Sequence, residues 1–543
     1  MLQGGCAERG EQAKKLTQST PRTRTRQQVV VNPYDEIDYP GFAYAATHPD
    51  RLATLATLFR IEPPSVETCR VLELGCGDGA NLIPIAYSLP QSTCVGVDLA
   101  ARPIERAQSA TAALALNNVS FKCMDITKLG PEAGTFDYVI AHGLYSWVGP
   151  DIRDRILDVC ARNLAPTGVA FVSYNAYPGG HLRELARSMM RFHVHDVTEP
   201  ASQVSQGLAL LKWVKESTTS DELRGVLDHE LANLGERAGA VVYHDDLAPT
   251  YQPVYFYEFV EHARGHGLQY LAEADFGSMQ GARFPEPVSE LLRRVEDVIA
   301  KEQLQDFLKC RGFRRTLLCH DAVRLDRSDL SHRLYGLRVA SPARPASADE
   351  DLRESVTMEF RTPEGRTMST NHPAVKAAMS ALGESWPRSI AFRELETMAI
   401  ERAGGPPNSG ESPSLAAMML AMYAGEIVEL RRHEPRFAVE VSHRPAASAL
   451  ARWQLQTSSS ITTLRHTRIK LEDSLLRGLV SLLDGTRDEA AILSALTELI
   501  ETGGAKLERD GRAITTAREI QRVLASELPR ALAELARLAL LVG

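Results

Sequence analysis

The chain has 543 residues, 44% of them apolar and 24% charged, with a net charge of −8. That length exceeds what one hydrophobic core organises and suggests about three or four units, while the composition excludes a fibrous or wholly disordered class. The acidic balance gives no field for a polyanion, so nucleic acid is not expected as a partner, and no apolar run approaches a membrane span, so no membrane insertion is expected either. The eight cysteines are scattered without a Cys-x-x-Cys pair and read as reduced thiols of a cytoplasmic protein.

Residues 1–32 are polar, with Arg22, Arg24 and Arg26 spaced through Ser, Thr and Gln, and are expected to form a flexible tail. Aromatic and acidic residues follow (Tyr34, Asp35, Glu36, Tyr39), then helical text to Phe59 and a break at Pro63 and Pro64, which together make an N-terminal cap. From Cys69 the runs CRVLEL, TCVGVDL, VSFKCMDI, FDYVIAHG and VAFVSYN read as five buried strands alternating with amphipathic helices. Crossovers of helix length predict an α/β fold with a doubly wound, Rossmann-like sheet, its first part over 33–180. Residues 181–244 carry no strand of comparable quality and read as a helical insertion with a regulatory or dimerisation role. Over 245–322 the sheet resumes with LQYLAEA and FRRTLLCH as its last strands. The Ala-, Pro- and Ser-rich stretch 340–355 reads as a linker. Beyond it, 356–450 gives three helices and a strand in winged-helix-like order, and the helical text of 451–543 repeats that order coarsely.

The sharpest chemical signal is VLELGCGDGANL, residues 71–82. A glycine turn directly after a buried strand lets a ligand approach backbone at a helix N-terminus. Gly75, Gly77 and Ala80 alone also satisfy the dinucleotide pattern of nicotinamide enzymes, so other residues must decide. Glu73 lies inside the strand, where a carboxylate is costly unless paired, and an ammonium-bearing ligand would pair it. Asp98, followed by Leu99, ends the second strand where an acid accepts from ribose hydroxyls. Asp125 and Ile126 end the third and suit an adenine amino group and its flat face. A ligand with an amino-acid end and no pyrophosphate fits a glutamate beside the turn, which favours S-adenosylmethionine over NAD.

Around the transfer itself, Tyr145 and Trp147 follow the fourth strand and Tyr174 and Asn175 end the fifth, all expected to line an acceptor pocket; packing in the core is the plainer alternative for Trp147 and Tyr174. His142 reads as a cofactor contact in preference to a base. His244, Asp245 and Asp246, and the pair His262 and His266 at helical spacing, are read as exposed polar residues of a loop and a helix face, and no metal is expected.

ELGCGDG, GVDL, MDI, FDYVIAHGLYSW and GVAFVSYN resemble the successive motifs of class I methyltransferases. YDEIDYP, ATHP, IAHGLYSWV, VSYNAYPGG, QPVYFYEFVEHARGHGLQYLAEAD, FRRTLLCH and LLDGTRD resemble more narrowly the bacterial methyltransferases that carry a methyltransferase regulatory domain, a group that includes lysine methyltransferases of outer membrane proteins. The resemblance implies S-adenosylmethionine as cofactor, with contacts at Tyr34, Tyr39, Glu73, Gly75, Asp98, Asp125 and His142, to which the turn adds Cys76 and Gly77. It implies a protein acceptor, lysine first and a cell-envelope protein among the candidates. A small-molecule acceptor and a non-catalytic cofactor-binding scaffold stay open as alternatives. The apolar or acidic C-terminal helices point to protein docking or a homodimer, not to DNA.

Overall fold

The computed structural model describes residues 32–542, apart from 281–283, 348–349, 406–412, 510–511 and 515. The expected tail over 1–32 therefore lies outside the described residues, Asn32 excepted. Seven strands, β1 (Arg70–Leu74), β2 (Thr93–Asp98), β3 (Val119–Cys123), β4 (Phe136–Ala141), β5 (Leu164–Asn175), β6 (Leu268–Glu273) and β7 (Phe313–His320), form one sheet in the order β3-β2-β1-β4-β5-β7-β6. The first five are parallel and β7 runs antiparallel to both β5 and β6. Val71 to Leu74 are all buried, which is why the strand text is continuously apolar instead of alternating.

Short helices α1 (Pro33–Glu36) and α2 (Pro49–Leu58) precede the sheet, and α3 (Leu82–Ser88), α4 (Ala101–Ala113) and α5 (Pro150–Asn163) lie in its crossovers. Each of α1, α2 and α5 starts on a proline, a residue whose missing N–H costs nothing in a first turn. After β3 the chain crosses to the far side of β1, so the strand order reverses between β1 and β4. Parallel sheets open a crevice at the carboxyl ends of such a pair, and the signature turn after β1 stands there.

The expected insertion is helical throughout: α6 (Gly179–His193), α7 (Pro200–Ser217), α8 (Asp221–Gly235) and α9 (Gly239–Asp246) close on a small core of Ala186, Met190, Leu211, Leu227, Leu234 and Val242. Then α10 (Phe256–Gly265) leads into β6, and α11 (Glu286–Arg293) and α12 (Val298–Lys309) lead into β7.

The stretch predicted as a linker is in part a packed segment. It starts in β8 (Arg338–Ala340), and Ala340, Ser341 and Ala343 are fully buried, with Ser341 Oγ donating to the Ile427 carbonyl at 2.7 Å. Small residues are demanded by close approach: a Cβ on Gly383 would stand 2.7 Å from the Ala343 carbonyl. Helices α13 (Pro373–Ser385), α14 (Phe392–Arg402) and α15 (Leu415–Ala424) follow as expected. They do not form a globule of their own. One continuous apolar cluster joins Leu52 and Leu55 of α2, Val71, Tyr138 and Phe171 of the sheet, and Leu382, Leu395 and Met419 of these helices. The C-terminal unit, by contrast, has its own core, with Leu479, Ile492, Leu496, Ile520 and Leu535 at its centre.

Asp50 of α2 ties these parts together. It is buried, and its Oδ1 accepts from the backbone N–H groups of Arg432 and His433, both at 2.8 Å. Asp50→Ala strands both donors, and denaturant titration should show a loss of about 1–3 kcal/mol, most of it recovered in Asp50→Asn, whose amide oxygen still accepts.

Candidate functional site

The turn after β1 holds three glycines with positive φ: Gly75 (+70°), Gly77 (+53°) and Gly79 (+75°). Two of them are needed for different reasons. A Cβ on Gly79 would lie 2.6 Å from the Phe121 ring, so that position is closed by packing as well as by φ. A Cβ on Gly77 would meet nothing within 4 Å, so there the backbone conformation alone is the constraint and the space beside it is left for a ligand.

Glu73 is 3% exposed. Its Oε1 accepts from Asn81 Nδ2 at 2.7 Å, while its Oε2 is buried without any hydrogen-bond partner. Burial lifts this carboxyl to about 8, against the opposing pull of the Asn81 hydrogen bond. An orphaned carboxylate oxygen in a cleft is the complement of an ammonium group. Asn81 Oδ1 in turn accepts from the Tyr44 N–H (2.9 Å) and the Thr47 hydroxyl (3.0 Å), so a single amide couples the cofactor-facing acid to the N-terminal cap. Asn81 stood in the quoted motif without a role; its neighbours in space come from a segment 34 to 37 residues away, which no local pattern announces.

At the end of β2, Asp98 accepts from Gly77 N–H (2.9 Å) through Oδ2 and from Ala100 N–H (2.8 Å) through Oδ1, which holds both oxygens at the cleft with lone pairs to spare for ribose hydroxyls. Burial raises its pKa against these hydrogen bonds. Asp125 and Ile126 line the same cleft, with Asp125 Oδ1 held by the Thr127 N–H at 2.9 Å, and Leu99, Cys76 and Gly75 complete its wall. Tyr34 and Tyr39 reach it from the cap, which is pinned to α4 by Arg106–Asp38 (2.8 Å) and by Asp35 accepting from the Arg102 N–H (2.9 Å). Tyr44, another cap residue not anticipated, lies edge-on to His142 with ring centroids 4.0 Å apart. His142 Nδ1 is 2.9 Å from the Ser173 hydroxyl, and burial followed by the nearby Arg315 lowers its pKa to about 4. A histidine so reluctant to protonate is a poor base near neutral pH.

The cleft, about 960 Å³, extends from the glycine turn to the part bounded by the insertion. Trp147, Asn175, Glu230, Asp245 and Tyr251 line this part. Trp147 and Tyr251 pack at 5.4 Å, with the Arg183 and Arg187 guanidinium groups over their rings. Of the five residues proposed for the transfer, His142, Trp147 and Asn175 face the cleft. Tyr145 and Tyr174 do not. Both are at most 2% exposed and belong to the core on the other side, where Tyr174 stacks on Phe259 at 4.1 Å and bonds Thr316, and Tyr145 bonds His262. Alternation along an extended chain decides this: Asn175 points into the cleft, so its neighbour Tyr174 points away.

His244, Asp245 and Asp246 are not the exposed loop residues expected from the sequence. They end α9, and His244 and Asp246 are 4% and 2% exposed. His244 stacks on Tyr34 at 4.4 Å and bonds the Ile37 carbonyl at 2.9 Å; Asp246 receives Arg183 (2.8 Å) and Arg237 (3.3 Å). The insertion thus clamps the cap over the cleft.

Glu73 offers a direct test of the ligand's charge. With its carboxyl near 8 in the free protein, it is mostly protonated at pH 7; a cationic ligand favours the carboxylate, so binding expels a proton. Calorimetry in buffers of different ionisation enthalpy should detect that release, and affinity for S-adenosylmethionine should rise from pH 6 to about 8 and then level. Glu73→Gln should weaken binding by about 10- to 100-fold, one charged hydrogen bond, with no loss of thermal stability because a buried carboxylate is removed.

Family models match three stretches of the chain: a methyltransferase domain over 71–168, a predicted methyltransferase regulatory domain over 239–320, and a PKMT C-terminal winged helix domain over 443–540. RP789, an uncharacterised protein of Rickettsia prowazekii, is 33% identical over 91% of this chain and 91% of its own length; RP028 of the same organism is 35% identical over 42% of this chain and 93% of its own. PKMT2 from Rickettsia typhi, solved in complex with AdoHcy, superposes with a TM-score of 0.82 over 93% of this chain and all of that one, at 28% identity. The orphaned Glu73 oxygen, the open side of Gly77 and the ribose-ready Asp98 fit S-adenosylmethionine, and the chain belongs to the class I S-adenosylmethionine-dependent methyltransferases that carry a regulatory domain and a PKMT-type C-terminal winged helix.

Proposed function

We propose that this methyltransferase modifies the side-chain amine of a lysine in a protein, met in the cytoplasm where its free thiols stay reduced. The observation that carries the reading is the cleft itself, which runs from the glycine turn to the insertion and is lined there by two carboxyls, Asp245 and Glu230, beside the aromatic side chains of Trp147 and Tyr251. Carboxylates and aromatic faces attract an ammonium group, while desolvation on burial disfavours its charge and a neighbouring carboxylate can accept the proton it gives up. The names of the similar proteins agree with it, since PKMT abbreviates protein lysine methyltransferase.

S-adenosylmethionine supplies an electrophilic methyl group. The chain's own residues have three tasks around it. Glu73, Asp98 and Asp125 hold and orient the cofactor. Trp147, Tyr251 and the cap bearing Tyr34 and Tyr39 exclude water and align the amine for in-line approach, where positioning alone supplies most of the acceleration. Asp245, whose carboxyl burial raises and Arg183 partly restores, takes the proton that the lysine must lose. His142, neutral throughout, stays a contact.

Incubation with labelled cofactor and cell-envelope extract tests this, followed by digestion of the proteins to amino acids. Label should appear in methylated lysine; label confined to small molecules would overturn the reading. Asp245→Asn should lower kcat/KM by about 100-fold, as loss of a general base does, while cofactor affinity changes less than about 3-fold.

A further inference from the structure

On the opposite face of the segment that carries Trp147, three side chains from two helices converge. Asp154 lies on α5, His262 on α10, and His266 caps the C-terminus of α10. The i, i+4 spacing places both imidazoles on one face of the helix. Their Nε2 atoms stand 3.4 Å (His262) and 2.9 Å (His266) from the same oxygen, Oδ1 of Asp154, and the three donor atoms all lie within 4.8 Å of one another. We propose that these residues bind one divalent transition-metal ion of borderline softness, of which Zn²⁺ is the representative.

The geometry suits that class of ion. Bonds of about 2.0–2.1 Å in a tetrahedron separate neighbouring ligand atoms by about 3.3–3.4 Å, which the two histidine–aspartate spacings of 3.4 and 2.9 Å bracket. Two imidazoles and a carboxylate favour zinc, cobalt or nickel over magnesium or calcium, which take oxygen ligands. The outer shell is in place as well. Tyr145 Oη lies 2.8 Å from His262 Nδ1, the nitrogen left over when Nε2 ligates, and that contact fixes the ring's orientation and tautomer. An adjoining open cavity lined by Asp151, Asp154 and Glu258 adds negative charge and room for a water or other fourth ligand, while Arg153 on its wall is turned to the Tyr145 carbonyl at 2.8 Å.

The site has a mechanical role. The ion pins α5 to α10, and through the Tyr145 contact it braces the residues after β4 whose Trp147 lines the cleft. It does so whatever the acceptor, since none of these three ligands faces the cleft.

Tag-free, full-length protein freed of metal with a chelator would be titrated with Zn²⁺ by calorimetry and with Co²⁺ by visible spectroscopy. Wild type should bind one equivalent that Asp154→Asn and His266→Ala each lose or bind at least 10-fold more weakly, and Co²⁺ should give the d–d absorption of a four-coordinate site. Tyr145→Phe should retain the equivalent with affinity reduced by about 10- to 100-fold. Asp154 is 64% exposed, so its variant keeps the fold, which unchanged cofactor affinity and metal-free thermal unfolding would verify. The same stoichiometry and affinity in wild type and both ligand variants would overturn the site, as would the lack of Co²⁺ absorption in wild type.

Discussion

Everything at the centre of this molecule is arranged around one carboxyl group that the sheet buries at its own expense. Glu73 sits near the end of β1 with one oxygen satisfied by Asn81 and the other by nothing. In a protein selected for stability alone a glutamine or an aliphatic side chain would serve better there. An unsatisfied oxygen in that place is what an ammonium-bearing ligand would complete, and the surrounding features are arranged about the same point: glycines that keep the floor low, an Asp98 whose hydrogen bonds shape the turn while facing the cleft, and a cap reached through Asn81.

The cap and the insertion complete the cleft from outside the sheet. Tyr34 and Tyr39 belong to a one-turn helix and the strand-like chain after it, which could not hold a position alone. Their fixation comes from α4 and α9, where Asp35 accepts from the Arg102 N–H and where His244 stacks on Tyr34 and bonds the Ile37 carbonyl, joining the insertion to the segment it covers. The cleft is therefore walled by separate stretches of chain, the cap, the ends of the strands and the insertion, so its shape is a property of the assembled domain and not of any motif.

What could be read beforehand follows from this division. The five parallel strands and the acids at their ends were legible because a sheet buried on both faces writes itself as continuous apolar runs, and Glu73 stood out as a charge inside one. The two strands β6 and β7 were also legible, although not the antiparallel insertion of β7 between β5 and β6, which no local signal encodes. Tyr145 and Tyr174 were misplaced because proximity to a strand end says nothing about which side a ring faces; a strict alternation argument from Asn175 would have corrected the second. His244 and Asp246 read as surface because polar triplets usually are; the burial of Asp246 depends on arginines 63 and 9 residues upstream, and that of His244 on Tyr34 and Ile37 of the cap. The alanine- and proline-rich stretch after residue 340 misled for a related reason: small side chains mark tight packing as readily as flexibility, and only the partner, Gly383 on α13, tells them apart.

The shared core between the sheet and the helices after residue 370 has an implication for how the molecule comes apart. Because Val71, Phe171, Leu382 and Met419 belong to one apolar cluster, cutting the chain between them would leave a bare oily slab on both fragments, and neither half would stay monodisperse. The C-terminal unit has a separate core around Ile492 and Ile520, yet it is fastened to its neighbour as well: Leu450 and Trp453 join the larger apolar cluster, and the buried Arg465 and His466 meet Glu429 and His48. A chain ended near residue 450 would accordingly strip Arg465, His466 and Arg468 from Glu429, His48 and Phe42, so removing the C-terminal unit carries a cost to the part that remains.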